Sequence, residues 1–350
     1  MHKLSSRPLV YMQDIGGARF LLPVVQSLLD MLKKLETVFI AHPISSALSK
    51  SLSENTNDTF FYKAVKNFSI KEWKSILIKE NIGIVICTMS SKYIDMTNCN
   101  LIAACNELEI KSIGFFDHWK GFDRLWDKNK EFKYLTSKIG VIDDYVKDGL
   151  INEGVSSDRI EVVGHPLLEK ISAKHYENNP CEVIIVSQPN TLDKSFISIF
   201  NLPIFKNKSF VDRLALLFSY TFINLKLLYK SHPKEQKIIL KNIGLFKKTW
   251  DDTNHTKKIF IGFDSMFLFE CYLWKHEVII LNFAEFQKYS DQSIPYKFGH
   301  QASNFNELEK CLFAIVNGEY NNSPINQFEQ VISDSTVRSK NLIENALQTI

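Results

Sequence analysis

The stretch "IEVVGHPLLEKISAKHYENNPCEVIIVSQP", residues 160–189, decides how this chain is organised. It begins and ends with apolar runs that are typical of buried strands. Between these runs, residues 168–181 are polar and contain Asn178, Asn179 and Pro180, a composition that predicts a linker. The chain has 350 residues, and a single core stops growing near ~250–300 residues. Two folded domains are therefore expected, one on each side of the linker.

Working outward from the linker, short apolar runs alternate with longer helical patterns in both directions. The first domain is predicted to have a helix at 20–35 and strands at 8–13, 37–42, 82–87, 112–117, 138–143 and 160–166. The second is predicted to have helices at 209–222 and 266–274 and strands at 182–189, 224–233, 257–265 and 277–283. This alternation indicates the α/β class, in which parallel sheets are covered by helices.

The predicted domain boundaries follow from the same pattern. We expect a Rossmann-like domain at 1–167, the linker at 168–181, a second Rossmann-like domain at 182–335 and an amphipathic C-terminal helix at 336–350. Both sheets should be doubly wound. Their loops are expected around a shared cleft, because open α/β sheets bind ligands at the C-terminal ends of their strands.

Composition and charge exclude several classes of function. A net charge of +3 is too small to indicate a nucleic acid partner. Six cysteines are scattered without a C-x-x-C pair, which favours reduced thiols in the cytosol over disulfides or a zinc site. No signal peptide is apparent, and no apolar run reaches the ~18–20 residues of a transmembrane helix. We therefore expect a cytoplasmic protein, whose mildly basic balance is compatible with peripheral association at the inner face of the membrane.

In the first half, "QDIGGARFLLP", residues 13–23, joins a predicted strand to a predicted helix. Gly16 and Gly17 would let the backbone approach a ligand closely, and a helix N-terminus favours an anion or a hydroxyl-rich group. Because there is no G-x-G-x-x-G, a dinucleotide site is disfavoured. The alternative interpretation is a tight strand-to-helix turn without a ligand.

Two further stretches of the first half carry polar groups at strand ends. In "GFFDHWKGFDRLW", residues 114–126, carboxylates lie among aromatic rings, as in loops that bind sugars or act on them. The alternative is an aromatic interface loop with solvated charges. His165, directly before the linker, either lines the cleft or is a hinge histidine bound to the backbone. The residues assigned to the acceptor or sugar are Gly16, Gly17, Arg19, His118, Trp119 and His165.

In the second half, two strand ends suggest a phosphate site. "LLYKSHPKEQ", residues 227–236, places His232 after a predicted strand, and Pro233 forces that histidine into an extended conformation. "IGFDSMFLFE", residues 261–270, places Ser265 at a helix N-cap, where phosphates bind readily. Plain helix capping is the alternative. The residues assigned to the nucleotide or phosphate are Ser187, Gln188, His232, Pro233, Asp264 and Ser265.

These motifs carry a resemblance to glycosyltransferases of the GT-B architecture. "LYKSHPKE" followed by "FIGFDSMFLFE" is similar to the His-Pro and Ser motifs of bacterial sialyltransferases and polysialyltransferases. The resemblance implies that His232, Pro233 and Ser265 hold the phosphate of a CMP-sugar. The chain departs from that pattern in two ways. Asp264-Ser265-Met266 stands where those families have a Ser-Ser/Thr pair, and the first half lacks their acidic-acidic-Gly triplet.

The first half resembles a different branch of the same architecture. "GGARFLLPVVQSL" and "RIEVVGHPLLE" are similar to the opening glycine loop and the inter-domain strand of UDP-N-acetylglucosamine 2-epimerase and lipid-A-disaccharide synthase. The likeness in architecture covers nearly the whole chain. It implies a GT-B protein whose substrate is a nucleotide-sugar.

The resulting hypothesis is a metal-independent glycosyltransferase that uses a nucleotide-sugar donor and no cofactor. The sequence has no D-x-D triplet to chelate a metal on a nucleotide diphosphate. Asp117, or failing that Asp14, would deprotonate the acceptor, and His232 and Ser265 would stabilise the leaving phosphate. The donor is expected to be a CMP-linked nonulosonic acid or Kdo-like sugar, and the acceptor a surface glycan or lipid-linked glycan of capsule or lipopolysaccharide synthesis.

Two alternatives stay open. One is a sugar-nucleotide epimerase or hydrolase on the same fold, for which several acids and bases are available around one sugar carbon. The other is a catalytically silent GT-B protein that binds glycans. The groups that could serve an epimerase are Asp14, Asp117, His118 and His165.

Overall fold

The computed structural model describes residues 6–46, 48, 62–90, 92, 95–170, 180, 182–188, 198–205, 208–231, 246–249, 256–263, 265–286, 294–319 and 328–348. The chain divides into two compact units. Unit 1 comprises Met1–Lys170 and Asn326–Ile350, and unit 2 comprises Ile171–Ile325. The chain therefore enters unit 2 inside the predicted linker and returns to unit 1 for its last residues. Residues 171–179 of that linker lie outside the described residues.

Within the described residues, unit 1 holds a seven-stranded sheet in which all neighbouring strands are parallel. Its strands are β1 (Arg7–Met12), β2 (Val38–Ala41), β3 (Tyr62–Ala64), β4 (Ile82–Thr88), β5 (Lys111–Phe116), β6 (Lys138–Val141) and β7 (Ile160–Val162). The spatial order is β3-β2-β1-β4-β5-β6-β7. The order reverses between β1 and β4, and such a switch point is where open α/β sheets bind ligands.

Helices cover both faces of this sheet. They are α1 (Ile15–Ser27), α2 (Leu29–Lys34), α3 (Ile70–Lys79), α4 (Thr97–Glu107), α5 (Asp144–Asn152) and α6 (Pro166–Glu169). The alternation of side chains along β1 explains the two faces. Leu9 and Tyr11 pack in one core with Trp73 of α3, whereas Val10 and Met12 pack in the other core with α1.

Unit 2 repeats the architecture. Within the described residues its sheet has six strands, again all parallel. They are β8 (Glu182–Val186), β9 (Lys226–Lys230), β10 (Phe246–Thr249), β11 (Ile259–Gly262), β12 (Glu277–Leu281) and β13 (His300–Ala302). The order β10-β9-β8-β11-β12-β13 reverses between β8 and β11. Helices α7 (Phe210–Tyr220), α8 (Met266–Leu273) and α9 (Phe305–Val316) follow in chain order.

The core of unit 2 is rich in phenylalanine. The ring of Phe200 stacks on Phe263 with their centroids 5.0 Å apart, and its edge meets Phe286 at 5.5 Å. Aromatic pairs in such geometries add to the stabilisation that burial alone provides. The phenylalanines of this core are Phe200, Phe205, Phe210, Phe218, Phe222, Phe263, Phe283 and Phe286.

The chain ends in unit 1 with α10 (Glu329–Ile332) and α11 (Ser335–Leu347). Leu342, Ile343 and Leu347 of α11 belong to the same core as α1. The start of α11 is capped from a distance, because Glu169 accepts hydrogen bonds from the backbone and hydroxyl of Thr336. The C-terminal helix is thereby tied to the end of α6.

The predicted α/β class and the two Rossmann-like sheets are confirmed. Three short strands at sheet edges were not predicted: β3, β10 and β13 have three or four residues each. The helix predicted at 20–35 begins earlier, at Ile15, and is divided at Leu28 into α1 and α2. Gly16 and Gly17 therefore lie in the first turn of a helix and not in a loop before it.

Candidate functional site

The first group of candidate residues lies at the switch point of unit 1. Asp14 follows β1 and is the N-cap of α1, where its Oδ1 accepts a hydrogen bond of 2.6 Å from the N–H of Gly17. Gly17 is buried against β4, since a Cβ at that position would lie 2.4 Å from Oγ1 of Thr88. The glycine thus permits the close approach of α1 to β4. Gly16, one residue earlier, is exposed.

Asp117 directly follows β5 at the same edge of the sheet. Its side chain is 15% exposed, and burial raises the pKa of its carboxyl to about 7, with the nearby Asp14 carboxylate acting in the same direction and Arg124 opposing both. A Cβ on Gly16 would lie 3.5 Å from Oδ2 of Asp117 and 3.5 Å from Oδ1 of Asp14. The structure therefore brings both predicted carboxylates to one exposed point. A carboxyl that titrates near neutral pH is suited to general acid–base chemistry.

The two carboxylates differ in the contacts that they already make. Asp14 caps a helix through Gly17, a role that holds its side chain in place. Asp117 forms an ion pair of 3.6 Å with Nη1 of Arg124, which is too long for a direct hydrogen bond. The carboxyl of Asp117 is therefore the better placed of the two to exchange a proton with a ligand.

His165, at the start of α6, is buried within unit 1. Its main-chain N–H donates to the carbonyl of Val331 at 2.7 Å, and its ring meets the ring of Phe20 edge-on at 4.7 Å. Burial lowers the pKa of His165 to about 3, with the nearby charges of Arg19 and His118 acting in the same direction. The imidazole is therefore neutral, and the interpretation as a hinge histidine bound through its backbone fits this geometry.

Arg19 and His118 are both half-buried, and their charges lower the pKa of His165. Nδ1 of His165 is buried without a hydrogen-bond partner among the described residues.

Trp119, which was assigned from the sequence to the acceptor or sugar, does not present its ring to solvent. The side chain is fully buried, and its Nε1 donates to Oδ2 of Asp143. Asp143 in turn caps α5 by accepting from the N–H of Val146 at 3.0 Å. Trp119 therefore anchors the loop after β5 to the neighbouring β6–α5 connection, which is a structural role.

In unit 2, the described candidates lie at the ends of β8 and β11. Ser187 is buried, and its hydroxyl is engaged by Tyr229 and Ser198 at 2.7 and 2.8 Å. Gln188, the next residue, is half-buried. Ser265 is the N-cap of α8, and its Oγ accepts from the N–H of Leu268 at 3.3 Å. His232, Pro233 and Asp264 lie outside the described residues.

Two residues near these sites were not assigned a role from the sequence. Arg124 faces Asp117 in unit 1. In unit 2, the ammonium of Lys230, at the end of β9, lies 4.2 Å from the ring centroid of Phe267 in the first turn of α8. The signal for Lys230 was its place directly before the Ser-His-Pro motif. Arg124 had no such signal, because its importance depends on a fold that brings it to Asp117.

The described part of the chain also bears on metal binding and on membrane spanning. No group of three or more His, Cys, Asp or Glu side chains within it could hold a metal ion. Among the helices described, none has the length and apolar composition needed to cross a membrane.

Comparisons with known proteins identify the fold. No protein-family model and no curated protein matches this chain. Among solved structures, it is similar to UDP-GlcNAc 2-epimerase from Methanocaldococcus jannaschii over 97% of this chain and 99% of that one, with a TM-score of 0.61 and 13% identity. It is also similar to UDP-GlcNAc 2-epimerase from Neisseria meningitidis bound to UDP-GlcNAc, over 98% and 100% of the two chains, with a TM-score of 0.57 and 13% identity.

A third similar structure is a lipopolysaccharide outer core galactosyltransferase. The likeness covers 97% of this chain and 99% of that one, with a TM-score of 0.51 and 14% identity. At these identities the comparisons show the fold, and they give no support to the resemblance to CMP-sugar transferases in particular. The chain has the GT-B fold, with two Rossmann-like domains.

Proposed function

We propose that this chain is a nucleotide-sugar enzyme that transfers a sugar to an acceptor hydroxyl, with Asp117 as the general base. The observation that carries the proposal is the state of that carboxyl, which is partly exposed at a strand end and has a pKa raised to about 7. A base is most effective when its pKa lies near the working pH, where it is available unprotonated and still attracts a proton. An ordinary aspartate, with a pKa near ~3.9, would be a much weaker base.

The charges at the edge of unit 1 favour a neutral, hydroxylated acceptor. Asp14 and Asp117 border the same point above Gly16, so an anionic group placed there would meet two carboxyl groups. A hydroxyl would instead find an acceptor for its proton. The half-buried Arg19 and His118 are the neighbouring groups that could hydrogen-bond further hydroxyls of a sugar.

The proposed reaction moves one proton and exchanges one bond. Asp117 accepts the proton of the acceptor hydroxyl, and the oxygen then bonds to the anomeric carbon as the bond from that carbon to the donor phosphate breaks. The phosphate leaves with the bonding electrons, and the N-terminus of α8 at Ser265 would stabilise its charge. His232 and Pro233 are assigned to the same phosphate from the sequence motif and from its resemblance to the His-Pro motif.

The identity of the donor is a separate part of the proposal. A CMP-linked sugar is expected from the motif resemblance, while one of the solved structures with this fold contains UDP-GlcNAc. Thermal shifts with CMP, CDP, UMP, UDP and GDP would separate these donors. A larger shift with CMP than with any uridine nucleotide supports the CMP-sugar. An equal or larger shift with UDP replaces it with a UDP-sugar and leaves the base in unit 1 unaffected.

A sugar-nucleotide epimerase or hydrolase is the second candidate. It is favoured by the pairing of two carboxylates at one point and by the fold shared with 2-epimerases. Incubation of the purified protein with the donor alone distinguishes the two activities. Consumption or isomerisation of the donor without acceptor indicates the epimerase or hydrolase, whereas turnover that requires a glycan acceptor indicates the transferase. Binding of nucleotide without any turnover would indicate a glycan-binding protein.

A place in capsule or lipopolysaccharide synthesis, and association with the inner face of the membrane, are further parts of the proposal. They derive from the resemblance and from the mildly basic charge of +3. Co-sedimentation with vesicles that contain anionic lipid tests the membrane part. The account of Asp117 is independent of its result.

A further inference from the structure

Arg124 is held beside Asp117 by contacts that do not involve the carboxylate. It lies in the short 3-10 helix Phe122–Leu125. Its Nε donates to the carbonyl of Gly121 at 3.0 Å, and its Nη1 donates to the carbonyl of Met89 after β4. The guanidinium carbon lies 4.7 Å from the ring centroid of Phe116. The side chain is 13% exposed, so these contacts fix the charge in a largely desolvated place.

The backbone directly before the turn leaves room for the side chain of Arg124. Gly121 has a φ of +91°, a conformation that strongly favours glycine, and a Cβ there would lie 2.8 Å from Nη2 of Arg124. The turn also carries Asp123, whose carbonyl receives a hydrogen bond of 2.8 Å from Lys92. The turn is thereby attached to the segment that follows β4.

The positive charge of Arg124 acts on Asp117 without a direct hydrogen bond between the two side chains. The shortest ion-pair distance between them is 3.6 Å, so Arg124 attracts the carboxylate but leaves its oxygens free for a ligand. The charged groups that face Asp117 are Asp14 from α1 and Arg124 from the turn, and His118 follows it in the chain. Burial and Asp14 favour the protonated carboxyl, and Arg124 opposes them.

We propose that Arg124 is a positioning residue of this site, whose fixed positive charge keeps Asp117 able to accept a proton at neutral pH. The inference rests on the proposed function, in which Asp117 is the base, and it concerns a residue to which the sequence motifs gave no role. Without the charge, burial and Asp14 would be opposed only by the backbone hydrogen bond to Asp117, and the carboxyl would lose its proton at a higher pH. An opposite charge at this distance is worth ~1–3 pH units in the titration of a carboxyl group.

The test measures the titration of Asp117 through stability, so it does not depend on an identified substrate. Unfolding of the full chain is followed from pH 4 to 11 for wild type, Asp117→Asn, Arg124→Gln and the double variant. The stability difference caused by Asp117→Asn changes with pH until Asp117 is ionised and is constant above that pH. We expect the change to end near pH 7 with Arg124 present and ~1–3 pH units higher in the Arg124→Gln background.

Three further variants make the result decisive. Arg124→Lys keeps the positive charge, and we expect Asp117 to titrate in this variant at nearly the same pH as in wild type. Arg159→Gln, the exposed arginine that ends another 3-10 turn of unit 1, is expected to change nothing. Arg124→Met keeps packing on Phe116 and replaces the glutamine variant if that variant does not fold.

The proposal is overturned if the Asp117 titration is the same with and without the charge of Arg124, or if Arg124→Lys shifts it as far as the neutral variants do. Failure of the proposed function would look different. In that case Asp117→Asn would leave turnover unchanged, while the coupling between Arg124 and Asp117 would still appear in the stability curves.

Discussion

The two sheets reverse their strand order in the same way, yet the residues at the two switch points differ in kind. In unit 1 the reversal between β1 and β4 is bordered by ionisable groups, with Asp14 capping a helix and Asp117 close by. In unit 2 the described residues that border the reversal between β8 and β11 carry hydroxyls, with Ser187 bound inside the core and Ser265 capping α8. The topology determines where a ligand can bind, and the few residues after each strand determine which chemistry is available there.

The largest expected effect tests the assignment of the base to unit 1. Asp117→Asn should lower the rate of transfer by ~10²–10⁴-fold, because a general base contributes that much, while the affinity for the donor nucleotide should stay the same. Steady-state rates and calorimetric binding measure the two effects separately.

Asp123→Asn is the matched control for this prediction. Asp123 lies on the same loop as Asp117, and its side chain is 38% exposed beside Lys92. Its substitution should leave the rate nearly unchanged. Equal loss of rate in both variants would mean that the loop has been disturbed and would remove the support for Asp117 as the base.

The second prediction concerns how tightly the switch point of unit 1 is packed. Gly17→Ala would place a Cβ 2.4 Å from Oγ1 and 2.8 Å from Cβ of Thr88. Overpacking of this kind destabilises a protein by ~1–3 kcal/mol. Gly16→Ala has a comparable effect on helix propensity but would make contacts of 3.5 Å. In urea unfolding we expect Gly17→Ala to be clearly the less stable of the two, and equal stabilities would contradict this account of the packing.

The third prediction is a difference in pH dependence between two buried groups of unit 1. Asp117 has a raised pKa, so its contribution to stability is present below ~3.9 and is lost as the pH rises to about 7. His165 has a pKa lowered to about 3, so its contribution is present above ~6.5 and is lost as the pH falls towards 3. In wild type the two trends oppose each other over most of this range.

Substitution separates these two trends. As the pH falls below ~6.5, wild type should lose stability that His165→Asn keeps. The free energy of unfolding of the variant should therefore rise relative to that of wild type, by up to ~1.4 kcal/mol per pH unit. As the pH rises towards 7, the free energy of unfolding of Asp117→Asn should rise relative to that of wild type. Urea unfolding between pH 4 and 8 measures both slopes. Slopes of the same sign would show that one of these environments has been described wrongly.

The smallest expected effect tests unit 2. Ser265→Ala removes the N-cap of α8 and should lower the free energy of unfolding by ~1 kcal/mol. Ser209 is the N-cap of α7, and its Oγ accepts from the N–H of Asp212 at 3.0 Å. Ser209→Ala should therefore lower the free energy of unfolding by a similar amount. If Ser265 also binds the donor phosphate, Ser265→Ala alone should weaken nucleotide binding in calorimetry. Equal affinities in the two variants would reduce Ser265 to a capping residue.

The sequence predicts most of the fold because strand and helix patterns are local. The apolar runs of β4 and β1 are visible over six or seven residues, and the polar linker marks the division. The three missed strands are short and lie at the sheet edges, where pairing with a neighbour and not composition defines the strand. The helix boundary at Ile15 was missed because two glycines argued against a helix, whereas Asp14 caps one there.

The candidate site was less predictable, because its properties depend on residues distant in the chain. Asp117 could be placed at a strand end from the local pattern, but its pKa depends on Asp14, which lies on another element. Arg124 reaches the carbonyl of Met89, 35 residues away. Trp119 has the same local surroundings as Asp117, and only the contact with Asp143 shows that it is buried.

The central claim, that Asp117 titrates near neutral pH, can be measured directly. Protein labelled with ¹³C at the aspartate carboxyl carbons is titrated by NMR, and the Asp117 signal is identified by its loss in Asp117→Asn. We expect a midpoint of about 7 for this carbon, well above the ~3.9 of an ordinary aspartate. A midpoint in the ordinary range would contradict the account, because Asp117 would then be a common surface carboxylate without the basicity that the proposed transfer requires.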